Sequence, residues 1–131
     1  MKLTENFDSD EFNCNCAESI PTEYKPNIQV LANNLQVLRD YINQDSKKPK
    51  AIHINSAWRS KEHNSEIGGK PHSFHLYGMA SDIVVKGINP KKLAEIIEEL
   101  ISQGKMKQGG IGIYKTFVHY DTRGTKARWN G

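Results

Sequence analysis

Cysteine is scarce in this sequence. The 131 residues include two, Cys14 and Cys16, in the run CNC. A structural thiolate zinc site takes four ligands, and no second pair is present to complete one. A bridge across a single residue is strained, so the two read as free thiols. Long apolar runs are also missing. None approaches the ~20 residues that span a bilayer, so no membrane insertion is expected. The start, MKLTENFDSDEF, lacks a basic segment followed by an apolar one. No signal peptide is therefore expected, and the chain is expected to be cytoplasmic as synthesised. A strong charge of one sign is absent too. The net charge is +3, the basic residues are scattered, and the aromatics do not alternate with them in a stacking platform. That excludes nucleic acid as the expected partner. Mild positive charge would still help the protein onto an anionic polymer.

What is present fits one globular domain. Hydrophobic residues make up 37% and charged residues 25%, enough of each for a single core and a solvated surface. No repeat, low-complexity stretch or linker divides the chain. Residues 1–26 read as an irregular arm anchored by Phe7 and Phe12. Asn27 can cap a helix running to about Gln44, with Ile28, Leu31, Leu35, Leu38 and Ile42 on one face. AIHINSAW alternates as a strand does and ends near Arg59. A short helical turn follows, closed by Gly68 and Gly69. DIVV reads as a buried strand. Asn89 caps a second helix with Pro90 at its first position, Leu93, Ile96, Ile97, Leu100 and Ile101 on its core face, and Gly104 at its end. GGIGIY and FVHYDT read as two strands joined by a tight turn near Lys115 and Thr116. RGTKARWNG reads as a polar tail with Trp129 as an anchor. Helices and strands do not alternate strictly, and the late strands form a hairpin. The expected class is α+β with a small antiparallel sheet and flanking helices.

The stretch SFHLYGMASD carries the chemistry. His75 and Asp82 lie either side of a bend at Gly78, and Asp82 heads a strand that would hold it rigidly. Imidazole and carboxylate are both zinc ligands, and a catalytic site takes three protein ligands with one position open. His119 in TFVHYD can supply the third. On a strand, Phe117, His119 and Asp121 share a face, with Asp121 roughly 7 Å beyond His119. That separation suits a base acting on water or an acceptor orienting His119 better than a fourth ligand. The pairing of His75 with Asp82 could also be a hydrogen bond that stabilises a loop.

SFHLYGMASD resembles the SxHxxGxAxD signature of the zinc D-Ala-D-Ala carboxypeptidase family of metallopeptidases. That family shares a fold superfamily with the lysostaphin-type peptidases and the hedgehog signalling domain. SAWRSKEHNSEIGG is similar to its arginine-bearing segment, and GGIGIY with FVHYDTRG and ARW is similar to its C-terminal ligand segment. The arm ENFDSDEFNC resembles the start of the small phage and bacterial members. The resemblance implies a single zinc peptidase domain over residues 1–131, with one zinc ion held by His75, Asp82 and His119. It places Arg59 near the substrate carbonyl or carboxylate, and Ser73 where its hydroxyl would touch substrate or brace the loop. Many relatives carry a glutamate three residues before the last histidine ligand as general base. Here that position is Thr116, and Asp121 is the best substitute, either as base or as the group orienting His119. His72 is a further candidate.

The activity implied is hydrolysis of peptidoglycan stem peptides by a monomer. It would be a D-Ala-D-Ala carboxypeptidase or a stem-peptide endopeptidase, acting as a phage-type lysin that reaches the wall when the membrane opens. Two alternatives remain open. One is a zinc-stabilised, non-catalytic binding or virion-assembly module. The other is a cytoplasmic dipeptidase for free D-Ala-D-Ala.

Overall fold

In the computed structural model, which describes residues 1–14, 16, 18–45 and 47–131, the first apolar stripe becomes a helix. This is α1 (Lys25–Asn43), which buries Ile28, Leu31, Leu35 and Leu38. Asn15 and Ala17 of the CNCAES stretch, and Ser46, lie outside the described residues. Pro26 sits in the first turn of α1, where a backbone N–H would have no helical partner. The helix begins ahead of Asn27, so Asn27 is not its cap. Its side-chain amide instead donates to Tyr77 O at 2.9 Å, which ties the helix to the segment carrying His75.

The strand β1 (Ile52–Ser56) is followed by a short helix, α2 (Lys61–Glu66), whose cap is Ser60: its Oγ accepts from His63 N at 3.1 Å. Then come β2 (Ala80–Val85) and α3 (Pro90–Ser102). The expected Asn89 cap is present, with its Oδ1 accepting from Lys92 N at 2.8 Å. The expected Gly104 stop is present too, at φ 73°. The chain closes with β3 (Gly110–Ile113), β4 (Val118–Asp121) and β5 (Ala127–Asn130).

The five strands form one sheet in the order β1-β2-β4-β3-β5. The first four are antiparallel to their neighbours, as expected. The tail is not irregular: it adds β5 parallel to β3. ARWN has no apolar alternation to announce a strand. It pairs because β3 offers an open backbone edge and because Gly112, opposite Trp129, has no side chain. A Cβ there would overlap the indole.

One face of the sheet meets the core. Ile83, Ile111, Val118 and Tyr120 are buried against α1 and α3 through Leu31, Leu35, Leu93, Ile97 and Leu100. Phe7 and Phe12 join this core and anchor the arm, their rings 6.2 Å apart. The arm is partly ordered by a 3-10 turn, Ser9–Phe12, capped by Asp8. Cys14 and Cys16 form a disulfide rather than staying free thiols. The backbone there brings their Cα atoms to 5.0 Å, within the range a disulfide spans.

Gly112→Ala is expected to lower unfolding stability by about 1–3 kcal/mol, because the added methyl must displace Trp129 or β3. Urea denaturation checks this. A variant as stable as the parent would show that Trp129 does not depend on that gap.

Candidate metal centre

The face of the sheet turned away from the core carries a row of opposed residues. Ser56 of β1, Asp82 of β2, His119 of β4, Gly112 of β3 and Trp129 of β5 follow one another across the strands. Asp82 Oδ1 lies 3.3 Å from His119 Nδ1 as a direct result of that register. His75 reaches the same oxygen from outside the sheet, its Nε2 at 3.3 Å. It sits in a 3-10 turn, Phe74–Tyr77, where Ser73 Oγ accepts from His75 N at 3.2 Å. Gly78 ends that turn at φ 71°, and a Cβ there would press on the Ile28 side chain at 3.1 Å. The bend between His75 and Asp82 therefore needs glycine for both conformation and space.

The donor atoms of His75, Asp82 and His119 lie within 4.8 Å of one another, and all three residues are buried. The far nitrogens explain why this group can hold a metal ion. His75 Nδ1 is 2.7 Å from Ala57 O. A carbonyl can only accept, so Nδ1 carries the proton and Nε2 presents a lone pair. His119 Nε2 is 2.7 Å from Asp121 Oδ2, so Nδ1 is likewise left to face the centre. Two oriented imidazoles and a carboxylate make a donor set suited to a divalent ion. Burial on its own would raise the Asp82 carboxyl, but once the two imidazoles are protonated their hydrogen bonds and positive charge, those of His119 and His75, outweigh it and hold the group well below the usual range. Burial would lower His119, yet Asp121 and Asp82 outweigh that and raise it.

The segment after β1 is laced to the His75 turn. Besides Ala57 O, Arg59 N donates to His75 O at 3.1 Å and Trp58 Nε1 to Leu76 O at 3.1 Å. This brings Arg59 beside the group, with Nη2 on Asp82 Oδ2 at 3.2 Å. Its Nε donates to Ser56 Oγ and its Nη1 to Asn64 Oδ1. Arg59, Ser73, His75, Asp82 and His119 all line one cleft of about 750 Å³, as does His72.

Asp121 is placed differently from a base that meets substrate. It is fully buried and does not line the cleft. Besides His119, its carboxylate accepts from Gly110 N at 2.9 Å, Arg123 N at 3.1 Å, Arg123 Nε at 2.9 Å and Arg123 Nη2 at 2.7 Å. Burial would raise this carboxyl, but those bonds, His119 foremost, hold it well below the usual range. Thr116 is exposed at the β3–β4 turn and is not part of the cleft wall.

Sequence reasoning missed three contributors. Ala57 acts through a backbone carbonyl, which no side-chain pattern reveals. Asn64 is buried, receives Arg59 and donates to Lys70 O at 2.8 Å. Arg123 clamps Asp121 from two residues further along. The alternation that places Asp121 on the His119 face would also have pointed to Arg123.

Protons compete with a metal ion for His119 Nδ1, and a raised His119 holds its proton to higher pH than an ordinary imidazole. Apparent metal affinity should therefore climb steeply between about pH 5 and about pH 8. Trp129, whose ring lies 4.9 Å from that of His119, offers a fluorescence readout. An affinity that is flat or falls with rising pH would contradict the geometry.

Among curated proteins no match was found. The family model described as Peptidase M15 matches residues 5–121, which spans the His75 turn, Asp82 and the whole of β4. With that match over most of its length, the chain belongs to the Peptidase M15 family, the metal-dependent peptidases of D-Ala-D-Ala carboxypeptidase type.

Proposed function

We propose that this protein is a zinc-dependent peptidase that hydrolyses peptidoglycan stem peptides. It would act as a D-Ala-D-Ala carboxypeptidase or a stem-peptide endopeptidase, in the manner of a phage-type lysin. The observation that carries this reading is the pair of imidazoles aligned by Ala57 O and Asp121 on one Asp82 oxygen, in a cleft that also holds Arg59. His75 Nε2, Asp82 Oδ1 and His119 Nδ1 would hold the zinc ion. When bound, zinc supplies Lewis-acid polarisation of a carbonyl and an activated water nucleophile at neutral pH.

The side chains around it divide the remaining work. Arg59 is fixed on Ser56, Asn64 and Asp82, and a guanidinium has five N–H groups, so it keeps donors to spare. Those would hold the substrate carbonyl oxygen as negative charge grows on it, or a terminal carboxylate. Ser73 Oγ accepts from His75 N and keeps its own O–H for a substrate carbonyl. Of the two roles open to Asp121, its burial and its five bonds favour orienting His119. The proton from water then falls to His72. It is the imidazole of the cleft wall not aimed at Asp82, and an imidazole nitrogen can accept a proton as a general base.

One observation favours a second reading, a zinc-stabilised module without turnover. Asp82 is the only carboxylate among the residues lining the cleft, so no acidic base faces it.

Zinc-loaded protein incubated with purified muropeptides, followed by mass spectrometry, separates the outcomes. Loss of the terminal D-Ala assigns a carboxypeptidase, and internal cuts assign an endopeptidase. Cleavage of free D-Ala-D-Ala alone assigns a dipeptidase. No turnover with zinc bound would leave the non-catalytic module. A second prediction concerns Asp121→Asn, which should weaken zinc binding about 10- to 100-fold. Saturating zinc should then restore most of kcat. A kcat that stays low with zinc affinity intact would return Asp121 to the role of base.

A further inference from the structure

Arg123 belongs to the cleft and is not used up by the interactions described so far. Its Nε and Nη2 take the two oxygens of Asp121 side-on. A guanidinium carries five N–H groups in a fixed fork, so three remain, on Nη1 and Nη2. Among the described residues Nη1 makes no hydrogen bond or ion pair. The plane of the group is held by rings, with its carbon 4.4 Å from the centre of Phe74 and 5.5 Å from that of Trp129. A cation fixed on one edge and braced on its faces has one direction left in which to bind, along the Nη1–Nη2 edge. That edge has the geometry of a bidentate carboxylate contact.

Its position matters as much as its chemistry. Arg59 meets the His75–Asp82–His119 group from the β1 side, through Asp82. Arg123 meets it from the other side, through Asp121 and the far nitrogen of His119. The cleft wall carries three cations, Arg59, Lys70 and Arg123, against one carboxylate, Asp82. A wall charged in this way selects for an anionic peptide. Arg123 also lies beyond the stretch that the family model matches, residues 5–121.

We propose that Arg123 is a specificity-determining residue: its unused N–H edge receives a carboxylate of the substrate peptide, on the side of the centre opposite Arg59. The proposal rests on the peptidase reading above for the nature of the substrate. The competing explanation is that Arg123 serves only to neutralise buried Asp121.

The test uses stem-type peptides in pairs, identical except that one carboxylate is replaced by its carboxamide, one position at a time. Zinc-loaded protein is assayed for hydrolysis and, by calorimetry, for binding. At one position the acid should be preferred by about tenfold or more, carried in KM, as expected for a charge-assisted hydrogen bond. Arg123→Gln should bring acid and amide at that position to within about twofold, and Arg123→Lys should keep part of the gap. Wild-type protein that treats acid and amide alike at every position overturns the proposal, whether or not any variant folds. So does a variant that loses activity on both peptides equally and keeps the gap, since that is what clamping Asp121 alone would produce. If nothing is hydrolysed, the peptidase reading fails separately, and the calorimetric preference still decides for or against Arg123.

Discussion

A carboxylate buried to the last atom is the constraint from which the rest of the site follows. Asp121 has no access to water, and an unpaired charge there would cost several kcal/mol. The fold meets that cost with donors from three directions: the backbone of Gly110, the side chain and backbone of Arg123, and the ring of His119. Each donor constrains its own surroundings. Position 110 must be glycine, because a Cβ would overlap both the carboxylate and the guanidinium. His119 must give its Nε2 proton to Asp121, and so it must turn Nδ1 toward Asp82 and His75.

Strand register carries that constraint to the other proposed ligands. Asp82 stands opposite His119 because β2 and β4 pair residue for residue. A slip of one residue would send Asp82 into the core and Ile83 into the cleft. The core holds the register, since Ile83, Val118 and Tyr120 must all face α1 and α3. Local order around the site thus depends on ordinary apolar packing behind it. The His75 turn is the one part not held by the sheet. It is fixed instead by Ala57 O, by the Arg59 and Trp58 donors and by the glycine bend at Gly78.

Legibility followed how local each feature is. The spacing in SFHLYGMASD, the Asn89 cap and the Gly104 stop are decided within a few residues, and all three are readable in the chain. Membership of the M15 family was readable for the same reason, because its motifs are short and contiguous. What escaped is decided by distant partners. Asn27 looks like a helix cap, yet its amide is spent on Tyr77 O. ARWN looks like a tail, yet an open strand edge and the gap at Gly112 turn it into β5. Asp121 shares the His119 face, as the alternation on β4 indicates, and the same alternation extended to Arg123 points to its clamp; its burial under Gly110 of β3 is set by a strand that no spacing on β4 announces.

The claim at the centre is that His119 meets a metal ion through Nδ1 because Asp121 holds Nε2. Anomalous diffraction from a zinc-loaded crystal tests it most directly. One zinc peak is expected at about 2.0–2.2 Å from His75 Nε2, Asp82 Oδ1 and His119 Nδ1, with His119 Nε2 still on the Asp121 carboxylate. A peak bound to His119 Nε2, with the ring turned away from Asp121, would contradict it, as would zinc held elsewhere.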